Sequence, residues 1–439
     1  MKYDKLFNLA KEKGIEQIEL SISNSSELSF SLFHGEVDSY SSSSSSYYVI
    51  RGIYNGRLGS IGSDVYSNDL VEHFVDEIIN NAKYIENDDP VFIFKGSEKY
   101  KKINTFNKTL DEVSIDEKLK ALHELEEKIK AGDPRIIEVE GVEYSESSFS
   151  ETIINSHGLK LSQKNNYFFI YGGALAKLNE QTKSGMDYYL GNDFSKLDID
   201  KLAKSIVEDA VNQLGGEACE SGEYKAVLGP NVVKALLGAY VSSAIAEDVQ
   251  KNSSLFVGKL GQKVASKHVT VEDKPLARTV FARYFDDEGV ATYNKSIIKN
   301  GVLQTYLYNL TTAAKEGVES TGNAHGTGSK VGTGTWYLEM KPGKKSQEEL
   351  FKEVGNGVYI TDVQGLHAGL NPRSGNFSLQ SCGFLIKDGK KDRGLDIITI
   401  SGNLVSLFND VTAVGNDLKE SIGSKVPSVI VKKISVGGK

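Results

Sequence analysis

The sequence predicts a strand-rich α+β protein of two domains, with mostly antiparallel sheets and flanking helices. Three observations carry this. Segments that alternate apolar and polar residues outnumber helical ones, and the two kinds do not take turns along the chain, which argues against a doubly wound α/β sheet. Forty-three glycines stand against seven prolines, and glycine serves the tight turns and bulges between strands. The 439 residues are long for one domain and natural for two.

In chain order, residues 3–13 predict a short helix. Residues 16–25 and 27–40 alternate as half-buried strands do. Six serines follow, Ser41 to Ser46. Alone they would read as a linker. A strand, an Asn55-Gly56 hairpin signal and another strand come directly after, so the serines read as a strand edge or turn within a sheet. Residues 68–83 predict an amphipathic helix carrying His73, and 85–110 a polar connection. Ser114 and Glu117 form a capping box that opens a helix over 114–133, with His123 on its solvated side. Strands return over 135–190, with Ser156-His157-Gly158 as a turn. Residues 199–216 predict a helix closed by two glycines. The boundary expected there divides the chain into 1–220 and 221–439.

The second half opens with a strand at 223–229. GPNVVKALLGAYVSSAIAEDVQKNSSLF (229–256) then carries a helix. Pro230 suits its first turn. Val232, Val233, Leu236, Leu237, Tyr240, Val241 and Ile245 recur at helical spacing. The helix holds no His or Cys, and its acids, Glu247 and Asp248, come only near its end. Further strand-like segments run through 254–266, 278–292 and 296–310, then past a glycine-rich loop at 317–334 and a helix at 346–354 to the end of the chain.

Composition limits the function. Thirty-nine per cent hydrophobic and 25% charged residues suit a globular core. A net charge of −8 without a Lys/Arg cluster argues against a nucleic-acid surface. Two distant cysteines, Cys219 and Cys382, fit a reducing compartment and no disulfide framework. The charged N-terminal stretch is not a signal peptide, and no apolar run approaches the roughly 20 residues of a membrane span. A soluble cytoplasmic protein is expected.

Motifs with local chemistry are scarce. There is no H-E-x-x-H, C-x-x-C or G-x-S-x-G. GTGSKV (326–331) lacks phosphate-loop spacing, since Ser329 separates Gly328 from Lys330. Asp286-Asp287-Glu288-Gly289 reads as a solvated hairpin rather than a calcium loop. His268 reads as surface. His325 sits among glycines and polar residues that could face a ligand, though an exposed loop histidine is the simpler reading. Nothing in the spacing of Cys382, His367 and His325 forces them together, and a free strand cysteine is usually a small buried hydrophobe.

Several segments in this order resemble the TldD/PmbA family (PmbA is also called TldE), once labelled modulators of DNA gyrase. They are HGEVDSY, GIYNGRLGS, FDDEGVAT, IIKNGVLQTYLYN, STGNAHG, GNFSLQSCGFLIKDGK, ITISGNL and VTAVGNDL. The resemblance implies a cytoplasmic two-domain α+β protein. It also implies a zinc metalloprotease made of a TldD-type and a PmbA-type subunit, acting on unfolded peptides or peptide leaders. The TldD-type subunit carries H-E-x-x-x-H on a helix and a further cysteine ligand near the C-terminus. Here the first histidine's place falls at Leu237 or Gly238, the glutamate's at Gly238 or Ala239, and the second histidine's at Ser242 or Ser243. KESIGSKVP follows VGNDL where the cysteine would stand. The resemblance therefore implies a PmbA/TldE-like subunit with no catalytic or metal-ligating residue and no cofactor of its own. Zinc is expected only in a TldD-like partner. Asn323 and His325 are the candidate substrate contacts. The alternative is a stand-alone homodimeric peptide-binding protein without proteolysis. A third reading is an enzyme built on His325 and Cys382.

Overall fold

A computed structural model describes residues 3–86, 89–328 and 330–439. The first half is built on one sheet. Its strands are β1 (Gln17–Phe33), β2 (Glu36–Tyr54), β3 (Arg57–Ser63), β4 (Ile136–Asn155), β5 (Lys160–Leu178) and β6 (Gln181–Gly191). They lie in the order β3-β2-β1-β4-β5-β6, every neighbour antiparallel. Asn55 and Gly56 both take positive φ, 50° and 72°, as a tight β2–β3 hairpin needs. The strand expected over 27–40 is instead broken by a second such turn at His34-Gly35, with φ of 54° and 77°.

Helices α1 (Asp4–Glu12) and α2 (Val71–Tyr84) cover one end of this sheet, packing Leu6, Phe74, Val75 and Ile78 on Ile18, Leu20 and Ile50. Helices α3 (Ile115–Ala131) and α4 (Ile199–Asn212) cover the other, against Phe30, Tyr144, Phe168 and Ile170. The Ser114–Glu117 capping box forms at the start of α3. Helix α4 stops at Asn212, short of the expected glycine pair, and the chain turns at Gly215 with φ 74°.

The second half holds the remaining strands. They are β7 (Gly222–Leu228), β8 (Val271–Asp273), β9 (Lys295–Lys299), β10 (Val302–Leu303), β11 (Ala324–His325), β12 (Gly332–Thr333) and β13 (Leu338–Met340). After them come β14 (Gly357–Gln364), β15 (Asn376–Lys387), β16 (Lys390–Asn403), β17 (Val411–Val414), β18 (Lys419–Ser421), β19 (Ser424–Val426) and β20 (Val429–Gly437). One sheet runs β16-β15-β14-β7-β20-β17 and another β10-β9-β8-β13-β19-β18. Only the β14–β7 and β13–β19 pairs in them are parallel. Helices α5 (Pro230–Val241), α6 (Ala246–Gln250), α7 (Leu310–Glu316), α8 (Gln347–Val354), α9 (Leu366–Gly369) and α10 (Leu404–Asn409) flank these sheets. The architecture is strand-rich α+β, as the sequence predicts.

Two expected strands are absent. Residues 254–266 and 278–292 are turns and coil, with an isolated bridge between Phe285 and Ala291. The second segment instead docks on the first sheet, burying Tyr284 and Phe285 against Ile153 and Leu161. Among the described residues, no helix is long and apolar enough to cross a membrane.

Candidate functional site

Helix α5 starts as its sequence directs, with Gly229 at the cap and Pro230 in the first turn. Val232, Val233, Leu236, Leu237, Tyr240 and Val241 are buried. Tyr240 stacks on Phe408 at 4.8 Å, meets Phe256 edge-on, and donates its hydroxyl to the Val264 carbonyl at 2.5 Å. The helix packs against β14 and β19.

The helix ends sooner than its spacing suggests. Ser242–Ala244 form a 3-10 turn, and Ile245 leaves in an extended conformation to bridge Leu307. Two bonds draw the chain out, Leu307 N–H to Ala244 O at 2.8 Å and Ala246 N–H to Leu307 O at 3.0 Å. Ser242 turns its hydroxyl back on the Ala239 carbonyl at 2.8 Å, the competition with helical bonding that serine offers.

The four places of the family's ligands therefore do not share one open face. Leu237 lies in the core and Ser243 is buried. Gly238 is exposed, and a Cβ built there would meet nothing within 4 Å. Ser242 is half-buried. None offers an imidazole, thiolate or carboxylate, the donors zinc takes, so these places do not fit the metal. Elsewhere among the described residues, no group of three or more His, Cys, Asp or Glu is placed to hold a metal ion.

The segment where the family's cysteine would stand forms the β18–β19 hairpin, beside α5. Its tip reaches the first sheet, where the Ile422 N–H donates to the Tyr188 hydroxyl at 3.3 Å. Burial pushes both the Asp209 carboxyl on α4 and the Asp362 carboxyl on β14 up, and Lys419 of the hairpin opposes the shift in each. Burial, then Lys419, pushes the Lys234 ammonium on α5 down. Cys382 on β15 lies within reach of the same carboxylates. Its thiol is pushed up by burial, lies 3.7 Å from the Thr361 hydroxyl, and feels Asp362, Asp209 and Asp396.

His325 is more enclosed than an ordinary loop histidine. It pairs through β11 with β12, and its ring stacks on Trp336 at 3.7 Å. The Arg283 guanidinium also lies 3.7 Å from the Trp336 ring, and two groups cannot share one face at that distance. Arg283 Nη2 donates to Asp287 at 2.6 Å and to Glu151 on β4 at 3.0 Å. The other Asp287 oxygen accepts the Gly326 N–H at 2.7 Å. Burial pushes the His325 pKa down, and Arg283 adds to this against the pull of Asp287. Asn323 is fully buried behind it. Its amide donates to Asp273 and to the Gly334 carbonyl, both at 2.7 Å, and accepts from Lys295 at 3.0 Å. The structure brings these two residues together, with only the histidine partly open. Ser329 of the GTGSKV stretch lies outside the described residues.

The acidic turn expected to be solvated is buried. Asp286 has no exposed surface and Glu288 only 4%. Asp286 accepts N–H bonds from Glu288, Val290 and Ala324 at 2.9–3.1 Å. Burial, with Glu288 beside it, nonetheless pushes its carboxyl up to about 8. Glu288 caps α7 through the Leu310 N–H at 2.8 Å, and it feels Arg51 of β2. Arg51 is itself buried against Glu19 of β1, Nε to carboxylate 2.8 Å. Sequence reasoning missed this cluster. Its signal was a charge inside each of two apolar runs, IEL and YVIRGIY, which the sheet sets directly opposite each other.

Comparison with known proteins covers nearly the whole chain. Three family models match: PmbA/TldA metallopeptidase domain 1 over 18–82, the central domain over 108–214 and the C-terminal domain over 221–438. Among curated relatives, the metalloprotease PmbA of Escherichia coli O157:H7 is 24% identical over 96% of this chain and 92% of its own. A Methanocaldococcus jannaschii metalloprotease is 26% identical over 95% and 94%. A Thermotoga maritima crystal structure described as a modulator of a DNA gyrase superposes with a TM-score of 0.92 at 33% identity, covering 99% of both chains. TldE from Thermococcus kodakarensis, at 24% identity and a TM-score of 0.88 over 99% and 100%, shares the fold.

Proposed function

Because this chain belongs to the PmbA/TldD metallopeptidase family, we propose that it is a PmbA/TldE-like subunit without metal, working with a TldD-like zinc subunit on unfolded peptides or peptide leaders. One observation carries the proposal. The places of the family's metal ligands, on α5, in the turn that ends it and after VGNDL, hold Leu237, Gly238, Ser242, Ser243 and a cysteine-free hairpin. The partner's zinc would supply the Lewis acid and activated water of peptide hydrolysis. This chain would hold the substrate. An extended peptide can add as a strand to a free sheet edge, a mode that reads backbone more than sequence and suits unfolded substrates.

His325 is the proposed side-chain contact. With its pKa pushed down by burial, the ring at neutral pH is uncharged, and Nε2 is buried, which leaves the rest of the ring for a substrate. Asn323 is a positioning residue, since its amide ties the histidine's loop to the buried Asp273–Lys295 pair. The proposed setting is the cytoplasm, in keeping with two free cysteines.

The test is to purify the chain alone and together with an H-E-x-x-x-H paralogue from the same genome. The expected result is no stoichiometric zinc and no peptidase activity alone, and both in the pair. Stoichiometric zinc with turnover by the lone chain overturns the reading.

A further inference from the structure

A pocket of about 360 Å³ opens in the second half, and neither His325 nor Asn323 lines it. Three stretches build it. The first is the KPGKK loop after β13, residues 341–345. The second is the edge strand β17 at Thr412, and the third brings His268, Thr270 and Asn300. Backbone bonds fix these walls. Lys341 N–H donates to the Thr270 carbonyl at 2.9 Å, Gly343 N–H to the Gly415 carbonyl at 2.8 Å, and Asn416 N–H to the Lys345 carbonyl at 2.8 Å. A Cβ at Gly343 would lie 1.9 Å from the Val414 carbonyl oxygen, so only glycine lets the loop run this close to β17. Asn300 takes φ 49° in the turn between β9 and β10, and its N–H donates to the Thr270 hydroxyl at 3.0 Å.

The pocket is basic in a chain of net charge −8. Lys341 and Lys344 are exposed, and neither has an ion pair among the described residues, whereas Lys345 is held by Glu353. Lys267 and Lys299, each next in sequence to a lining residue, are also exposed and unpaired among the described residues. Among the described residues, no carboxylate lines the pocket. The Asn300 side chain accepts from Thr270 through its oxygen, and its NH₂ group has no partner among the described residues. Thr412 sits where a bulge breaks the β17–β20 register, and its hydroxyl is buried without a partner among the described residues. A buried hydroxyl left unpaired is costly, and an oxyanion in the pocket would give it an acceptor. Two unpaired ammonium groups, an amide NH₂ and a hydroxyl suit the two charges and many lone pairs of a phosphate dianion, and exceed what a single carboxylate can use.

We propose that this pocket binds a phosphate group, as free phosphate or as the phosphate of a small ester, through Lys341, Lys344, Asn300 and Thr412. The site lies outside the metal-ligand places and outside the His325 loop. It therefore goes beyond the peptide-holding reading, and neither zinc nor peptide cleavage enters its test.

Isothermal titration of the full chain with inorganic phosphate, at constant ionic strength in chloride, tests it. The expected result is saturable binding at one site per chain. Lys341→Gln and Lys344→Gln should each weaken it at least about tenfold, and Thr412→Val, which removes no charge, about threefold. Lys177→Gln removes the same charge from the first sheet and should leave binding unchanged. Circular dichroism checks that each variant keeps the fold. Glycerol 3-phosphate that binds more tightly than inorganic phosphate assigns the site to an ester, and one that binds no more tightly assigns it to free phosphate. Both results support the site. Acetate that binds as tightly as phosphate overturns the proposal. Binding that does not saturate, or that weakens equally in Lys177→Gln, reflects diffuse attraction to surface lysines and overturns it too. So does a Thr412→Val chain that binds as wild type.

Discussion

Asp286 is the residue whose environment departs furthest from what its neighbours in sequence suggest. Its carboxyl is raised from 3.8 to about 8. A group whose folded pKa lies above its unfolded value stabilises fully below the unfolded value, and that contribution is lost as pH rises through the folded pKa. Asp286 should therefore cost stability progressively from about pH 4 to about pH 8. Asp286→Asn cannot ionise, so its unfolding free energy should fall less steeply over that window. Its absolute stability should also drop, because an amide cannot satisfy all three N–H groups. Urea unfolding at several pH values reads both effects, and equal slopes for the two proteins would refute this account. Ile397 is the other residue out of place. It has φ of 52° inside β16, unfavourable for a β-branched side chain, yet it is 75% exposed and gains little packing there. Ile397→Asn should raise stability by about 1 kcal/mol, since asparagine tolerates this conformation. A lower melting temperature would contradict it.

At the scale of elements, α5 is the informative case. Leu237 faces the core and Gly238 open space. Gly238→Ala should stabilise by up to about 1 kcal/mol through helix propensity alone. Leu237→His should destabilise by about 3 kcal/mol or more, because it buries a polar ring without a partner. Denaturant midpoints separate the two, and a tolerated Leu237→His would contradict the core placement of this position. The start of α5 was legible in the sequence, because capping and proline act locally. So were the Ser114–Glu117 box and the Asn55-Gly56 turn. The end of α5 was not legible, because the Leu307 bridge that draws the chain out comes from more than 60 residues away. The missing strands at 254–266 and 278–292 fail for the same reason. Their apolar residues pack on other elements instead of pairing in a ladder.

In the whole molecule, the two halves meet through buried charge. Arg51 and Glu19 belong to the first sheet, Glu288 and Asp286 to the second half. Burial works against the Arg51 charge, and Glu19, Glu288 and Asp286 outweigh it. Arg51→Met should cost about 3–5 kcal/mol, because it leaves the buried Glu19 carboxylate without its ion-pair partner. A cost below about 1 kcal/mol, measured by equilibrium unfolding, would show that water relieves the cluster. The sequence showed a charge inside each of two apolar runs, but pairing Glu19 with Arg51 and bringing Glu288 and Asp286 to them needed the register of the sheet and the fold of the second half. The serine run was legible as a strand edge, whereas its length and its limits needed the register of β1 and β3.

The central claim is that this chain contributes no metal to the family's chemistry. Metal analysis of the purified full chain, alone and after incubation with excess zinc and gel filtration, tests it most directly. Well below one zinc per chain is predicted in both samples, with stoichiometric zinc appearing only when an H-E-x-x-x-H paralogue co-purifies. One tightly held zinc per lone chain would contradict the account.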